Sequence, residues 1–238
     1  MIKVDTHTKV HSRSSSPAFG NAMLQAVPSS EVYLMDCIQG MKHYPDKYFD
    51  LAVVDPPYGL GERLTNGGGK RFKKHNRTKK ELVAFDVKIP DYQYFVELFR
   101  VSKEQIIWGA NYFLDFLPPT RCVLIWDKVT FKKFTGSDFE LAWTSFDYAA
   151  KAFRMSRIQA LRNGTIHPTQ KPIELYDWLF KNYSTEGMRV LDTHLGSQSS
   201  RISANKYQLN FVGFETDEEY FNKGNKRYDD FINQTRMF

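Results

Sequence analysis

A chain of 238 residues with 42% hydrophobic and 15% aromatic residues carries enough apolar material to bury its own core, which excludes an intrinsically disordered protein. No run of about 18 apolar residues occurs, and the first thirty residues hold no apolar signal core, so neither a membrane span nor secretion is expected. The net charge is +6, yet the basic residues between Lys70 and Lys80 alone exceed it, so the charge belongs to one segment that could meet a polyanion while the remainder is close to neutral.

Residues 1–30 show no sustained periodicity, with serine and proline clustered at 14–17 and 28–30. They are expected to form a flexible arm preceding a single domain, residues 31–238. Lys9, His11 and Arg13 suit either a solvated tail or contact with nucleic acid. Residues 31–35 read as a strand, Asp36 follows at its carboxyl end, and Ile38, Met41 and Tyr44 suit a short helix. Aspartate is also among the best helix N-caps, so Asp36 has a structural reading of its own. Cys37 and Cys122 have neither disulfide-framework nor zinc-ligand spacing, so the expectation is an intracellular, cytoplasmic protein with no metal site.

Leu51-Ala52-Val53-Val54 has the length and β-branched content of a strand buried on both faces, as in a parallel sheet. Pro56 and Pro57 end it, because proline lacks a backbone N–H and fixes φ, and they hold Asp55 and Tyr58 in a stiff turn. The carboxyl end of such a strand is where open α/β sheets bind ligands. An amine on a heterocycle offers two N–H donors. The Asp55 carboxylate and the Pro56 carbonyl would accept both while Tyr58 stacks on the ring, drawing the nitrogen lone pair toward an electrophile. The chemistry indicated is transfer to an amino group; the plain alternative is a Pro-Pro turn beside an exposed acid.

Residues 59–80 read as an inserted open loop in which Gly67-Gly68-Gly69 adjoins the basic run. Lys70, Arg71, Lys73, Lys74, Arg77, Lys79 and Lys80 suit phosphate contacts that position a nucleic acid without reading its sequence, or else a solvated face. Residues 91–101 have helical spacing, and residues 105–108 and 122–126 read as buried strands. Residues 139–144 and 149–153 suit an antiparallel edge hairpin, and Arg154, Arg157 and Arg162 extend the basic surface.

His167-Pro168-Thr169-Gln170-Lys171-Pro172 precedes an amphipathic helix at 173–183. Two prolines bracket Thr169, Gln170 and Lys171 at a helix N-terminus, where backbone N–H groups and a lysine suit a carboxylate. Residues 188–192 form a strand that runs into a turn at Thr193 to Ser200 and then a helix to about residue 207; Gly196 permits close backbone approach to a ligand. Residues 211–215 form another strand. Glu215 at its end lies about twenty residues past the glycine turn, placed to accept from ribose hydroxyls. A charged helix follows at 217–232. Strands alternating with helices in this way predict an α/β fold with a mostly parallel sheet covered by helices on both faces.

Asp55-Pro56-Pro57-Tyr58 resembles the catalytic motif of the S-adenosylmethionine-dependent DNA amino-methyltransferases, which methylate adenine N6 or cytosine N4. Three further stretches support the resemblance in chain order, over roughly residues 31–230. Trp108-Gly109-Ala110-Asn111-Tyr112 and Trp126-Asp127-Lys128 are similar to segments lining the family's target-base pocket. That assigns Asn111 and Tyr112 to the nucleic acid, while Trp108 and Trp126 suit core packing at least as well. The segment from His167 to Pro172 resembles the one that holds the methionine end of S-adenosylmethionine, through Thr169, Gln170 and Lys171. Asp36 stands where the family faces the donor's adenine, and Asp192, Thr193, Gly196, Ser197 and Glu215 complete the implied donor site. Here the sequence departs from the family's Asp-Pro-Phe-x-Gly-Ser-Gly at Thr193, His194 and Gln198, and Gln198 stands to crowd the turn.

The donor turn follows the catalytic turn along the chain, the order of the permuted, β-type group. The resemblance therefore implies a Rossmann-like class I methyltransferase fold with circularly permuted motif order. It also implies methyl transfer from S-adenosylmethionine to a base flipped out of double-stranded DNA, through Asp55, Pro56, Pro57 and Tyr58. Asp rather than Ser before Pro-Pro-Tyr makes adenine N6 the better match and cytosine N4 the runner-up; a DNA-binding protein with a vestigial donor site is the further alternative. No long separate recognition domain is visible, so specificity is expected to be short, relaxed, or shared with a second subunit or a homodimer partner.

Overall fold

Along Leu51, Ala52, Val53 and Val54 successive side chains point to opposite faces of a strand, and both faces are covered. Leu51 and Val53 join one apolar cluster, Ala52 and Val54 the other. A computed structural model of the protein describes residues 28–61, 86, 88–130, 137–160, 162 and 164–235. Residues 1–27 and 62–85 lie outside the described residues, and with them most of the expected arm (1–30) and basic loop (59–80); of the arm's last residues, Ser30 pairs with Phe211 in the sheet.

In chain order the elements are β1 (Ser30–Leu34), α1 (Cys37–Met41), β2 (Phe49–Val54), α2 (Tyr92–Val101), β3 (Ser102–Trp108), a 3-10 turn (Ala110–Tyr112), β4 (Val123–Asp127), β5 (Phe139–Thr144), β6 (Lys151–Arg154), α3 (Arg157–Ala160), α4 (Ile173–Tyr183), β7 (Arg189–Asp192), α5 (Ser199–Lys206), β8 (Asn210–Glu215) and α6 (Glu218–Thr235). The strands form one sheet in the order β1-β8-β7-β2-β3-β5-β4-β6. From β1 through β3 every pairing is parallel. β5 runs antiparallel to both β3 and β4, while β6 pairs with β4 in parallel.

The expected hairpin is thus corrected. Residues 139–144 form a strand lodged between β3 and β4, and residues 151–154 form the sheet's edge beside β4. Leu141, Ala142, Trp143 and Thr144 are apolar or small enough for an interior position, which period-two alternation alone did not distinguish from a half-exposed edge.

Helix chemistry follows the same two cores. α2 begins at Asp91, whose carboxylate accepts the Tyr94 N–H at 3.2 Å, and it buries Tyr94, Phe95, Leu98 and Val101 on one face of the sheet with α1. α4 buries Leu175, Tyr176, Leu179, Phe180 and Tyr183 on the other face, where Ala204 of α5 joins them. Each fully buried Leu or Phe contributes roughly 1.5–3 kcal/mol. These two layers fix the sheet firmly enough for its carboxyl edge to carry chemistry.

Candidate active site

Four neighbouring parallel strands end in a carboxylate: Asp36 beyond β1, Glu215 on β8, Asp192 on β7 and Asp55 beyond β2. Parallel pairing aligns the strand ends; Ala52 faces Leu191 and Asp192 faces Gly213. Asp192 is buried, and burial, with the charges of Asp55 and Glu215 adding to it, pushes its carboxyl up to about 7 against hydrogen bonds from the Ser200 hydroxyl and the His194 N–H. Of the four, Asp55 alone has a cationic partner among the described residues.

At the β2 end, the Asp55 carboxylate is ion-paired through Oδ2 with the Lys171 ammonium and accepts the Tyr58 hydroxyl on Oδ1. Burial raises the Asp55 carboxyl, and Lys171 opposes that rise. The lysine is 4% exposed. Burial alone would lower its ammonium, but the Asp55 and Glu140 carboxylates outweigh it and hold the proton on. Lys171 also donates to the Tyr58 oxygen at 3.2 Å and lies 3.2 Å from Glu140, with the Tyr58 and Trp108 rings flanking it. Glu140 in turn pairs with Lys128 at 2.7 Å. Its carboxyl is lowered: burial raises it, and the two lysines more than reverse that.

The Tyr58 ring stacks on Tyr112 at 4.9 Å and 15° and meets Phe113 edge-on. It rests against the backbone of Gly109, whose φ of +79° and missing side chain leave room for it; a Cβ there would overlap the ring. The turn after Tyr58 is fastened by Asp86, whose carboxylate accepts the Gly59 N–H at 2.8 Å and the Leu60 N–H at 3.3 Å.

The other predicted residues fall into place unevenly. Asp36 caps α1, accepting the Gln39 N–H at 3.0 Å. Glu215 accepts three backbone N–H groups, from Gly196, Thr216 and Asp217, and so shapes the glycine turn directly. Thr193 shares its hydroxyl with Tyr94 and His194. Ser197 is buried against Ser199, and its carbonyl accepts from Arg227 at 2.7 Å. Thr169 bonds His167, and Gln170 bridges Ile166 and Gly164, bracing the loop. Lys171, expected to face a donor carboxylate, turns instead to Asp55 and Glu140 because a buried ammonium requires counter-charge. Asn111 is exposed beside the partly buried Tyr112.

Of the three departures from the family's glycine turn, Gln198 and His194 are each accommodated by the surrounding packing. Gln198 adopts φ +57°, but its side chain is fully buried away from the turn, donating to Asn225 and Phe221 of α6 and accepting from Arg201; it lies over Gly224, where any Cβ would overlap it. The expected crowding does not arise. His194, in the position of the family's Phe, packs edge-on to Tyr94, and burial lowers its imidazole to about 4, leaving a neutral ring.

Sequence reasoning missed Glu140, Asp86 and Arg227. Glu140 left a signal, a lone acid in an otherwise apolar strand; Asp86 and Arg227 left none, since their partners come from elements remote in sequence.

The glycine turn at Gly196 and the acids at the ends of β1, β8 and β7, none of them ion-paired among the described residues, fit S-adenosylmethionine, which is a sulfonium and an ammonium at once. Fold and site together define an S-adenosylmethionine-dependent methyltransferase of the Rossmann-like class. Residues 107–226 match the DNA methylase family of the N6/N4 type, and the chain belongs to that family of S-adenosylmethionine-dependent DNA amino-methyltransferases. The matched span begins after the Asp55 corner, so that corner stands on its geometry.

The chain is 22% identical to the type II methyltransferase M.HpaI of Haemophilus parainfluenzae, over 83% of this chain and 74% of that protein. It is 23% identical to the putative methylase YubD of Escherichia coli K12, over 81% and 87%. Among solved structures it resembles the M1.HpyAVI–SAM complex (TM-score 0.55, 17% identity, 83% of this chain and 98% of that one). It likewise resembles the cytosine-N4-specific PvuII DNA methyltransferase (TM-score 0.56, 12% identity, 87% and 93%). Among the described residues no helix is long and apolar enough to cross a membrane.

Proposed function

We propose that the protein is a DNA adenine N6-methyltransferase, in which Asp55, Pro56, Pro57 and Tyr58 hold the target amine, with Lys171 paired to Asp55, and Asp36, Thr169, Gln170, Asp192, Thr193, Gly196, Ser197 and Glu215 form the donor side. The observation that carries this reading is the adjacency of Asp55 and Asp192 at the ends of paired parallel strands, which sets an amine-holding corner beside a donor turn. Aspartate rather than serine before Pro-Pro-Tyr favours adenine over cytosine.

S-adenosylmethionine, when bound, supplies an electrophilic methyl group on a sulfonium. The protein's part is positioning and charge complementarity. A base stacked in a duplex cannot reach Asp55, so it must be extruded, with Tyr58 and Tyr112 offering an aromatic wall. Asp55 Oδ and the Pro56 carbonyl accept the two amine hydrogens, which raises electron density on the nitrogen; transfer of the methyl group to it would break the carbon–sulfur bond and leave the sulfonium as a neutral thioether. Asp55 then takes the proton the nitrogen releases. Lys70, Arg71, Lys73, Lys74, Arg77, Lys79 and Lys80 supply phosphate contacts, and Asn111 and Tyr112 contact the extruded base.

The test is incubation of unmodified duplex genomic DNA with labelled donor, followed by nucleoside analysis, with RNA in parallel. N6-methyladenine is expected. N4-methylcytosine would replace the adenine reading, label on RNA alone would replace the DNA reading, and donor binding without transfer would overturn the enzyme.

A further inference from the structure

The arrangement around Asp55 poses a difficulty that its neighbours resolve. To accept an amine hydrogen the carboxylate needs an oxygen with undiminished negative charge, yet Oδ1 already receives the Tyr58 hydroxyl and Oδ2 is in contact with the Lys171 ammonium. An ammonium at contact distance in a water-poor site cancels most of that charge. The lysine has a second carboxylate within reach: Glu140 Oε2 stands 3.2 Å from Nζ, a looser contact than the one to Asp55, and the other oxygen of Glu140 is tied to Lys128 at 2.7 Å. Two lysines and two acids thus alternate as Lys128, Glu140, Lys171, Asp55, with no net charge. The rings of Tyr58 and Trp108, 5.6 and 5.4 Å from Nζ, flank the ammonium with electron-rich faces.

Resting on the methyltransferase reading above, we propose that Glu140 is a positioning residue: it draws the Lys171 ammonium off Asp55 when the amine of the target base arrives, so that Asp55 is released to accept from that amine. Only an ion pair is exchanged. Lys171 keeps its proton throughout, leaves Asp55 Oδ2 and closes on Glu140 Oε2, while the incoming N–H takes the vacated acceptor. Charge stays balanced at each stage, which a single Lys–Asp pair does not allow. The charged and titratable groups facing Lys171 and Asp55 are Tyr58 and Asp86 at the β2 turn, Tyr94 from α2, Glu140 from β5 with Lys128 behind it from the β4 end, Tyr176 from α4 and Asp192 from β7.

The experiment measures single-turnover methylation of duplex DNA against pH for the wild type, Glu140→Gln, Glu140→Asp and Lys128→Met, with donor affinity by calorimetry and thermal unfolding alongside. With Glu140→Gln the lysine stays on Asp55: at neutral pH the rate is expected to fall at least tenfold, the acid limb to move to lower pH, and donor Kd to stay within twofold. Glu140→Asp recovers part of the rate. Lys128→Met leaves Glu140 free to pull harder on Lys171, so the acid limb is expected to move the other way, to higher pH; this arm stands even if Glu140→Gln does not fold. An unmoved acid limb in both variants, shifts in the same direction, or a rate loss matched by lost donor binding would overturn the inference. An inactive wild type would instead remove the methyltransferase reading beneath it, so the two failures are distinct.

Discussion

The ring of Tyr58 occupies the space that a side chain at Gly109 would fill, so the aromatic wall of the Asp55 corner exists only because the residue after β3 is glycine. The same glycine sits at φ +79° and donates its N–H to the Leu141 carbonyl at 2.8 Å, which ties the floor under Tyr58 to β5. β2, β3 and β5 therefore meet at one ring. Replacing Gly109 with Ala places a Cβ inside that ring and forces a left-handed backbone at a cost of roughly 1–2 kcal/mol. Expected are a lower midpoint of thermal unfolding and a loss of methyl transfer far greater than the loss of donor binding. A variant with wild-type rate would show that Tyr58 need not lie there.

Asp55→Ala removes the acceptor while leaving the donor strands intact. Donor affinity by calorimetry should change little, and transfer should fall by at least about a hundredfold, the scale seen when one preorganised electrostatic partner is deleted. Undiminished methylation would take Asp55 out of the mechanism.

Gln198→Gly tests whether the departure from the family's glycine is structural. Glycine relieves the left-handed strain at φ +57° but empties a buried site and removes one hydrogen-bond partner each from Arg201 and Asn225, which keep their bond to each other. Losing a buried partner of a charged group costs about 1–3 kcal/mol. Chemical denaturation should show a net loss of stability while donor Kd holds within a few fold; a marked gain in donor affinity would mean the glutamine does obstruct the turn.

His194 and Asp192 act in opposite directions on stability. The histidine's folded value, about 4, is depressed below its usual 6.5, so the stability tied to its neutral ring is present above 6.5 and is lost as pH falls toward 4. The aspartate's folded value, about 7, is raised above its usual 3.8, so its stability is present at low pH and is lost as pH rises toward 7. In the wild type the two partly cancel across that window. His194→Phe removes one side, and the variant should gain roughly 2 kcal/mol over the wild type at pH 4.5 relative to pH 7.5, once partial exposure is allowed for. Parallel pH dependences of the two unfolding curves would contradict the assignment to His194.

Much of the site was legible because its parts are local. The Pro-Pro corner after an apolar run, the prolines around Lys171 and the strand-turn-helix around Gly196 are each contained in fewer than about a dozen consecutive residues, and each constrains its own backbone. The helices at 92–101 and 173–183 were equally plain, since a period near 3.6 is written in the chain itself. Harder to see were the relationships between such pieces. Nothing in residues 139–144 says whether they form an edge hairpin or an interior strand, because that depends on which neighbour claims them.

The chain alone thus determined the α/β class, the order of the two turns and the residue types at the corner, all of which follow from short-range sterics and periodicity. Tertiary structure decided the pairing of charges: that Lys171 serves Asp55 and Glu140, that Gln198 turns toward α6, and that Glu215 grips the glycine turn. The physical reason is desolvation. A buried charge must find its partner wherever the fold brings one, and the spacing of residues along a sequence carries no record of which strands will lie side by side.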